Sequence, residues 1–297
     1  RFRRRRARVE CRSAHRLVGI VATPLVDRFV SSPRMSTAPM TALSSAPRVP
    51  NRRPFDGPCT RKTKSARAAR SRCVAARAAA DAKPKAKVAV FVSGGGSNLR
   101  ALHAAMEDGR VDAEVAVVVS NIPSCGGVEW SRERGIPTLT YPPKKGEDGL
   151  TPDALVAELR AAGVGYVLLA GYLRLIPPEL CRAYEDKMLN IHPALLPAFG
   201  GKGMHGHHVH EAVVASGARF TGPTVHFVNE EFDKGKIVAQ RTTRVAPGET
   251  ADDVAANVLR LEHEVFSHVV SALVDGRIRF RETDGVPVIV GEDGVEE

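Results

Sequence analysis

The chain has 297 residues, a formal net charge of +10 and 43% hydrophobic residues. That length allows one or two domains, that apolar share excludes a wholly disordered chain, and no apolar run reaches the roughly 18 residues of a membrane-spanning helix. Residues 1–82 hold 20 Lys+Arg against 4 Asp+Glu while residues 83–297 hold 23 against 29, so the basic balance belongs to the front segment and the remainder lacks the bulk charge of a nucleic-acid binder.

The front segment reads as an address. It is rich in Arg, Ala, Ser and Pro and poor in acids and aromatics, too little apolar surface to offset the entropy of ordering a chain. Arg-rich, Ser-rich, acid-poor leaders are those of mitochondrial or plastid import. Residues 35–82, opening MSTAPMTALSSAPRVP at Met35, are expected to be a disordered transit peptide, and residues 1–34 a disordered, non-native extension upstream of the true start. Two other readings stay open. RRRRAR at 3–8 has the charge of a nucleic-acid arm. The same run before LVGIVATPLV (17–26) imitates a secretory signal, though the apolar stretch is short and holds a proline. The folded domain is expected over 83–285, with 286–297 a loose acidic tail. Five cysteines, none in a CxxC pair, suit a reducing compartment better than a disulfide framework.

From Lys87 the chain alternates strand and helix. KVAVFVS (87–93) is a short apolar run ending in glycines, as a buried parallel strand should be. Leu99, Leu102 and Met106 then recur at helical spacing over 97–108. VAVVVS (115–120) is a second strand, 126–134 a helix and 138–141 a third strand. Thr151 caps a helix through Ala162. YVLLA (166–170), a helix at 177–184 and a strand at 188–191 follow. This order implies βαβ crossovers and an open, mainly parallel, Rossmann-like sheet with helices on both faces. After about residue 200 the pattern changes. Residues 224–228 and 237–245 read as an antiparallel strand pair. Residues 250–274 read as one long helix with a capping-box start at Thr250 and Asp253 and an apolar stripe from Val254 to Leu273.

Three places carry chemistry. Gly94–Gly96 with Ser97 and Asn98 join the first strand to the first helix, where backbone N–H groups and the helix N-terminus favour a phosphate. The loop is neither GxGxxG nor a P-loop, and a plain tight turn is the other reading. Asn190 and His192 sit at alternate positions at the end of the fifth strand, where open parallel sheets bind ligands. Asn can donate to a developing oxyanion, and His can donate or move a proton; a surface Asn and a core His are the bland alternative. Asp233, on the turn of the antiparallel pair, either orients an imidazole or is an ordinary turn residue. His205, His207, His208 and His210 lack Cys or carboxylates at ligand spacing, and no metal is expected there. His263-Glu264…His268 is one residue too long for HExxH.

Taken together, VFVSGGGSNLRAL (90–102), VVVSN (117–121), LLAGYLRLIP (168–177), LNIHPALLPAFGGKG (189–203), GPTVHFVNEEFDKGKIVAQ (222–240) and LEHEVF (261–266) resemble the phosphoribosylglycinamide formyltransferase family over about residues 87–283. The AFGGKG form and the Arg-rich leader look most like its plastid members. The resemblance implies the formyltransferase fold. It also implies formyl transfer from 10-formyltetrahydrofolate, a co-substrate, to the amine of 5'-phosphoribosylglycinamide in purine synthesis, without a metal. Matched position by position, the catalytic trio falls on Asn190, His192 and Asp233, and the ribonucleotide contacts on Gly96, Ser97, Asn98 and Glu262. The folate contacts fall on Leu173, Arg174, Leu175 and Ile176, on Asn190, and on Asn229, Glu230, Glu231, Phe232 and Asp233, with His226 as a supporting buried histidine. Bacterial relatives place a folate-contacting Arg in the segment that here reads YPPKKGEDGLTPD; Lys144 or Lys145 is the candidate substitute. The resemblance further implies a monomer or homodimer in the plastid stroma, possible mitochondrial import beside it, recognition of the leader by the plastid import machinery, and neither nucleic acid nor a stable membrane as partner. A formyltetrahydrofolate hydrolase or another folate formyltransferase is the nearest rival. A non-catalytic nucleotide-binding module with a basic nucleic-acid arm is the rival from another class.

Overall fold

The computed structural model describes residues 84–143, 149–291 and 294–295. The leader and the Lys144 and Lys145 candidates lie outside the described residues.

Seven strands form the main sheet in the order β3-β2-β1-β4-β5-β7-β8. The parallel strands are β1 (Ala86–Val92), β2 (Ala113–Ser120), β3 (Thr138–Thr140), β4 (Tyr166–Leu169) and β5 (Met188–His192). Against β5 runs β7 (Thr224–Phe227), and against β7 runs β8 (Ile237–Gln240), both antiparallel. The order reverses between β1 and β4, the kind of switch point at which open sheets bind ligands.

Alternation on β1 shows why the sheet is covered on both sides. Val88, Val90 and Val92 enter one apolar cluster, with Leu99, Leu102, Val265, Phe266 and Val269. Those partners belong to α1 (Ser97–Glu107) and α6 (Ala251–Val274), and Val128 adds α2 (Gly126–Glu133). Ala89 and Phe91 enter the opposite cluster, with Leu155, Leu159 and Leu180 from α3 (Pro152–Ala161) and α4 (Pro178–Ala183). A strand buried on both faces has no polar side to alternate with, hence the continuous apolar run. Thr250 and Asp253 cap α6 reciprocally, satisfying backbone donors at its start.

Two features differ from the sequence expectation, and one agrees with it. Residues 237–245 are not one strand: β8 stops at Gln240, and β9 (Thr243–Arg244) pairs with β6 (Phe220–Thr221) in a separate two-stranded sheet. Alternation identifies a strand but not its partner. The histidine-rich stretch is the loop-to-helix start that the sequence suggests: it opens α5 (His207–Ser216), which packs Val213 against Val254 and Val258 of α6. The tail expected to be loose from residue 286 is tied at its start. Strand β11 (Pro287–Ile289) pairs with β10 (Ile278–Phe280), and Ile289 is buried in the main core. The turn between them is held by Arg281 on Asp284 and by the Val286 N–H on the same carboxylate. These local bonds outweigh the turn-rich composition that suggested looseness.

Candidate active site

The site lies along the carboxyl ends of β1, β4 and β5. Asn190 and His192 project from β5, and pairing with β7 sets His226 directly opposite Asn190. A register slip between Val225 and His226 re-aims the histidine. Asp233 comes from the β7–β8 connection, with φ 54°. That connection folds tightly because of Gly235: a Cβ there would lie 1.7 Å from the Phe227 carbonyl oxygen. Any other residue would push the turn, and Asp233 with it, off the sheet.

The polar groups form a connected set. His226 Nδ1 donates to the Phe227 carbonyl at 2.7 Å, which leaves Nε2 as acceptor for the Asn190 amide at 3.0 Å. The same amide lies 3.4 Å from Asp233 Oδ1. His192 Nε2 donates to the Phe199 carbonyl at 2.8 Å, and its Nδ1 faces Asp233 Oδ2 at 3.6 Å. The Gly201 N–H donates to Asp233 Oδ2 at 2.8 Å. Burial pushes the His192 imidazole below its ordinary value, with Asp233 and the Phe199 carbonyl opposing. Burial pushes the Asp233 carboxyl up, but the His226 and His192 imidazoles beside it and the hydrogen bond from the Gly201 N–H outweigh burial and hold the group below its ordinary value. Asp233 is thus an anion between two imidazoles, in a setting where hydrogen bonding favours the charged form.

Three contiguous cavities meet here. The middle one, about 350 Å³, is lined by Asn190, His192, Phe232, Asp233 and the segment from Gly201 to Gly206. Toward β1 it opens into a cavity of about 280 Å³ lined by Gly94–Asn98, His210 and Glu262. Gly171, Leu173, Ile191, Pro193 and Gly206 line both. There the Asn98 amide donates to Glu262 Oε2 at 2.7 Å, joining two predicted ribonucleotide residues 164 positions apart. Burial pushes the Glu262 carboxyl above its ordinary value, with the Asn98 bond opposing. On the other side, a narrow cavity of about 50 Å³ is lined by Arg174, Leu175, Ile176, Asn190, His226, Asn229, Glu231, Phe232 and Asp233.

Gly96, Ser97, Asn98 and Glu262 therefore lie together at one end, Arg174, Leu175, Ile176, Asn229 and Glu231 at the other, and Asn190 and Asp233 at the junction. Two predicted folate residues sit elsewhere. Leu173 lines the middle cavity and the one beside Gly94–Asn98, and Glu230 turns outward to Arg182 at 3.5 Å. Sequence reasoning missed His210 as a lining residue, and it missed the Phe199 carbonyl and Gly201 N–H as partners of the trio. Backbone groups of a loop leave no mark in composition. For His226, the signal was available in the antiparallel pairing that sets it against Asn190. His207 and His208 stand within ion-pair distance of Glu211.

Comparison with known proteins bears on this arrangement. A family model described as formyl transferase matches residues 86–270. A chloroplastic phosphoribosylglycinamide formyltransferase from Arabidopsis thaliana is 53% identical over 71% of this chain and 73% of its own length. One from Vigna unguiculata is 52% identical over 71% and 68%. The crystal structure of a glycinamide ribonucleotide transformylase from Symbiobacterium toebii superposes with a TM-score of 0.64 at 31% identity, covering 71% of this chain and 96% of that one. On the family model, the sheet and these relatives, the chain belongs to the formyl transferase family, and within it to the phosphoribosylglycinamide formyltransferases.

Proposed function

We propose that Asn190, His192 and Asp233 carry the transfer of a formyl group from 10-formyltetrahydrofolate to the amine of 5'-phosphoribosylglycinamide, a step of purine synthesis. The observation that carries this reading is the position of the trio in the middle cavity, between two dissimilar ones. The ribonucleotide end combines a glycine loop, a helix N-terminus suited to phosphate, and the buried Asn98–Glu262 pair. The folate end combines Arg174 with Leu175, Ile176 and Phe232, of which Leu175 and Phe232 are exposed apolar side chains awaiting a flat apolar partner.

Holding both substrates at one junction removes the entropy cost of a bimolecular encounter. The amine attacks the formyl carbon, a C–N bond forms, and the formyl oxygen gains negative charge. Asn190 and His192 donate to that oxygen, exchanging their present acceptors, His226 and the Phe199 carbonyl, for a stronger one. Each such donor lowers the barrier by about 3–4 kcal/mol. The proton of the attacking amine passes to the leaving folate nitrogen as the second C–N bond breaks. Asp233 orients His192 and stabilises it as an imidazolium during this transfer. Residues 35–82 serve as a plastid transit peptide, a reading supported by the chloroplastic relatives in Arabidopsis and Vigna.

The test is turnover of the purified protein with both substrates, followed by absorbance of the folate product. Product formed only when the ribonucleotide is present supports the transferase. Product and formate released without it would identify a hydrolase instead.

A further inference from the structure

We propose that Ser93 is a positioning residue that couples the ribonucleotide loop to the folate stretch, so that binding of one substrate tightens the other. The inference rests on the assignment of the two cavities above. Ser93 follows β1, directly precedes Gly94–Gly96, and is 5% exposed. Its backbone N–H donates to the Gly171 carbonyl at 3.0 Å. Its hydroxyl donates to Asn121 Oδ1 at 2.5 Å and accepts the Leu173 N–H at 2.9 Å. One small side chain thereby ties together the ends of β1, β2 and β4.

What it ties is specific. Gly171 and Leu173 line both the middle and the ribonucleotide-side cavities. Leu173 is also the first residue of the stretch whose next three members line the folate end. On its other side Ser93 is continuous with the glycine loop, itself pinned by the Gly127 N–H on Gly94 O at 3.0 Å and by Arg100 Nη2 on Gly95 O at 2.6 Å. A shift of the loop toward a phosphate therefore reaches the Leu173 backbone through a single hydroxyl, and a shift of the folate stretch returns the same way. Asn121 makes the link directional. By taking the hydroxyl proton it leaves an oxygen lone pair for Leu173, where an unanchored hydroxyl would rotate among its staggered positions. Linkage requires the coupling to be reciprocal.

The experiment is calorimetric titration of the full-length protein with glycinamide ribonucleotide, in the absence and presence of saturating tetrahydrofolate, which carries no formyl group. The titration is repeated in the opposite order, with formyl transfer assayed in parallel. The parent protein should show each ligand tightening the other about five- to tenfold. In Ser93→Ala the factor should fall below about twofold in both directions, and Ser93→Thr, which keeps the hydroxyl, should restore it. Asn121→Ala removes the anchor from a half-buried position and should reproduce the loss if Ser93→Ala does not fold. A residue that merely satisfied a buried N–H would lower the melting temperature and leave the factor intact. Coupling preserved in the variants, or transfer by the parent without coupling, overturns the proposal. Absence of transfer by the parent overturns the functional reading and this inference with it.

Discussion

His192 and Asp233 face each other at 3.6 Å, Nδ1 to Oδ2, with side chains only 4% and 12% exposed. Nε2 of the same imidazole is engaged by the Phe199 carbonyl, so the ring proton of the neutral form sits on the far nitrogen and the Asp233 side is left open. A proton gained on Nδ1 is then met by a carboxylate already in place. Asp233 needs no rearrangement to do this, because Gly201 holds one of its oxygens and Asn190 lies near the other.

Asp233→Asn should therefore leave both substrates bound and lower kcat by about 10²–10⁴-fold, the span expected when a positioned acid–base group is disabled. The amide is nearly isosteric, so the Gly201 bond and the turn survive. Steady-state kinetics with each substrate varied in turn checks this. Near-normal kcat would remove Asp233 from the chemistry.

The depressed imidazole has a consequence for stability. Below its ordinary value of 6.5, His192 takes up a proton in the unfolded chain before it does so in the folded one. Stability contributed by keeping it neutral is thus present above about pH 6.5 and is lost as pH falls toward the folded value. Asp233, held below its ordinary 3.8, acts in a lower window: its contribution is present above 3.8 and lost as pH falls through the folded value. Between about pH 7 and about pH 5.5 the melting temperature of the parent should fall more than that of His192→Gln, which cannot titrate. Thermal melts followed by circular dichroism at matched ionic strength decide it; parallel slopes in the two proteins would refute the argument.

The parallel half of the sheet was legible largely because β1, β2 and β4 carry short apolar runs, Val88–Val92, Val115–Val119 and Tyr166–Leu169. β1 and β4 pair in parallel, Val88 beside Tyr166 and Phe91 beside Leu169. The proposed trio was legible only in part. Asn190 and His192 announce themselves by alternate spacing at a strand end, but Asp233 on pattern alone was an ordinary turn residue. What sets it beside His192 is the close approach of Gly235 to Phe227, a relation of backbone to backbone. Likewise the Ser93–Asn121–Leu173 bonds span 28 and 80 positions and depend on strand order, which periodicity does not encode.

Glu262 and Asn98 allow charge and packing to be separated. Glu262→Gln retains an oxygen to accept the Asn98 amide but loses the carboxylate, whose hydrogen bonds to a ligand are the stronger kind. The KM for the ribonucleotide should rise about 10–100-fold with little change in melting temperature. Glu262→Ala leaves the Asn98 amide unpaired in a buried site and should in addition cost about 1–3 kcal/mol of stability. Denaturant unfolding of the two variants beside their kinetics tests both statements; equal stability loss in Gln and Ala would mean that the Asn98 bond does not matter.

Gly96 closes the argument on the ribonucleotide side. It stands just before α1 with φ 75°, in the left-handed region, and a Cβ on it would lie 2.8 Å from Gly127 Cα. The obstacle is backbone at the start of α2, which no side-chain rotation can relieve. Gly96→Ala should therefore cost about 1–3 kcal/mol from backbone strain. Because the displaced loop is the one proposed to face phosphate, ribonucleotide affinity should fall further than folate affinity. Gly94 has open space around its Cβ position, so Gly94→Ala should be far milder in stability. Comparing the two variants by thermal unfolding and by ribonucleotide titration separates a requirement at one position from a general preference for glycine in the loop. If both alanines behave alike, the close approach of Gly96 to Gly127 is not what shapes the site.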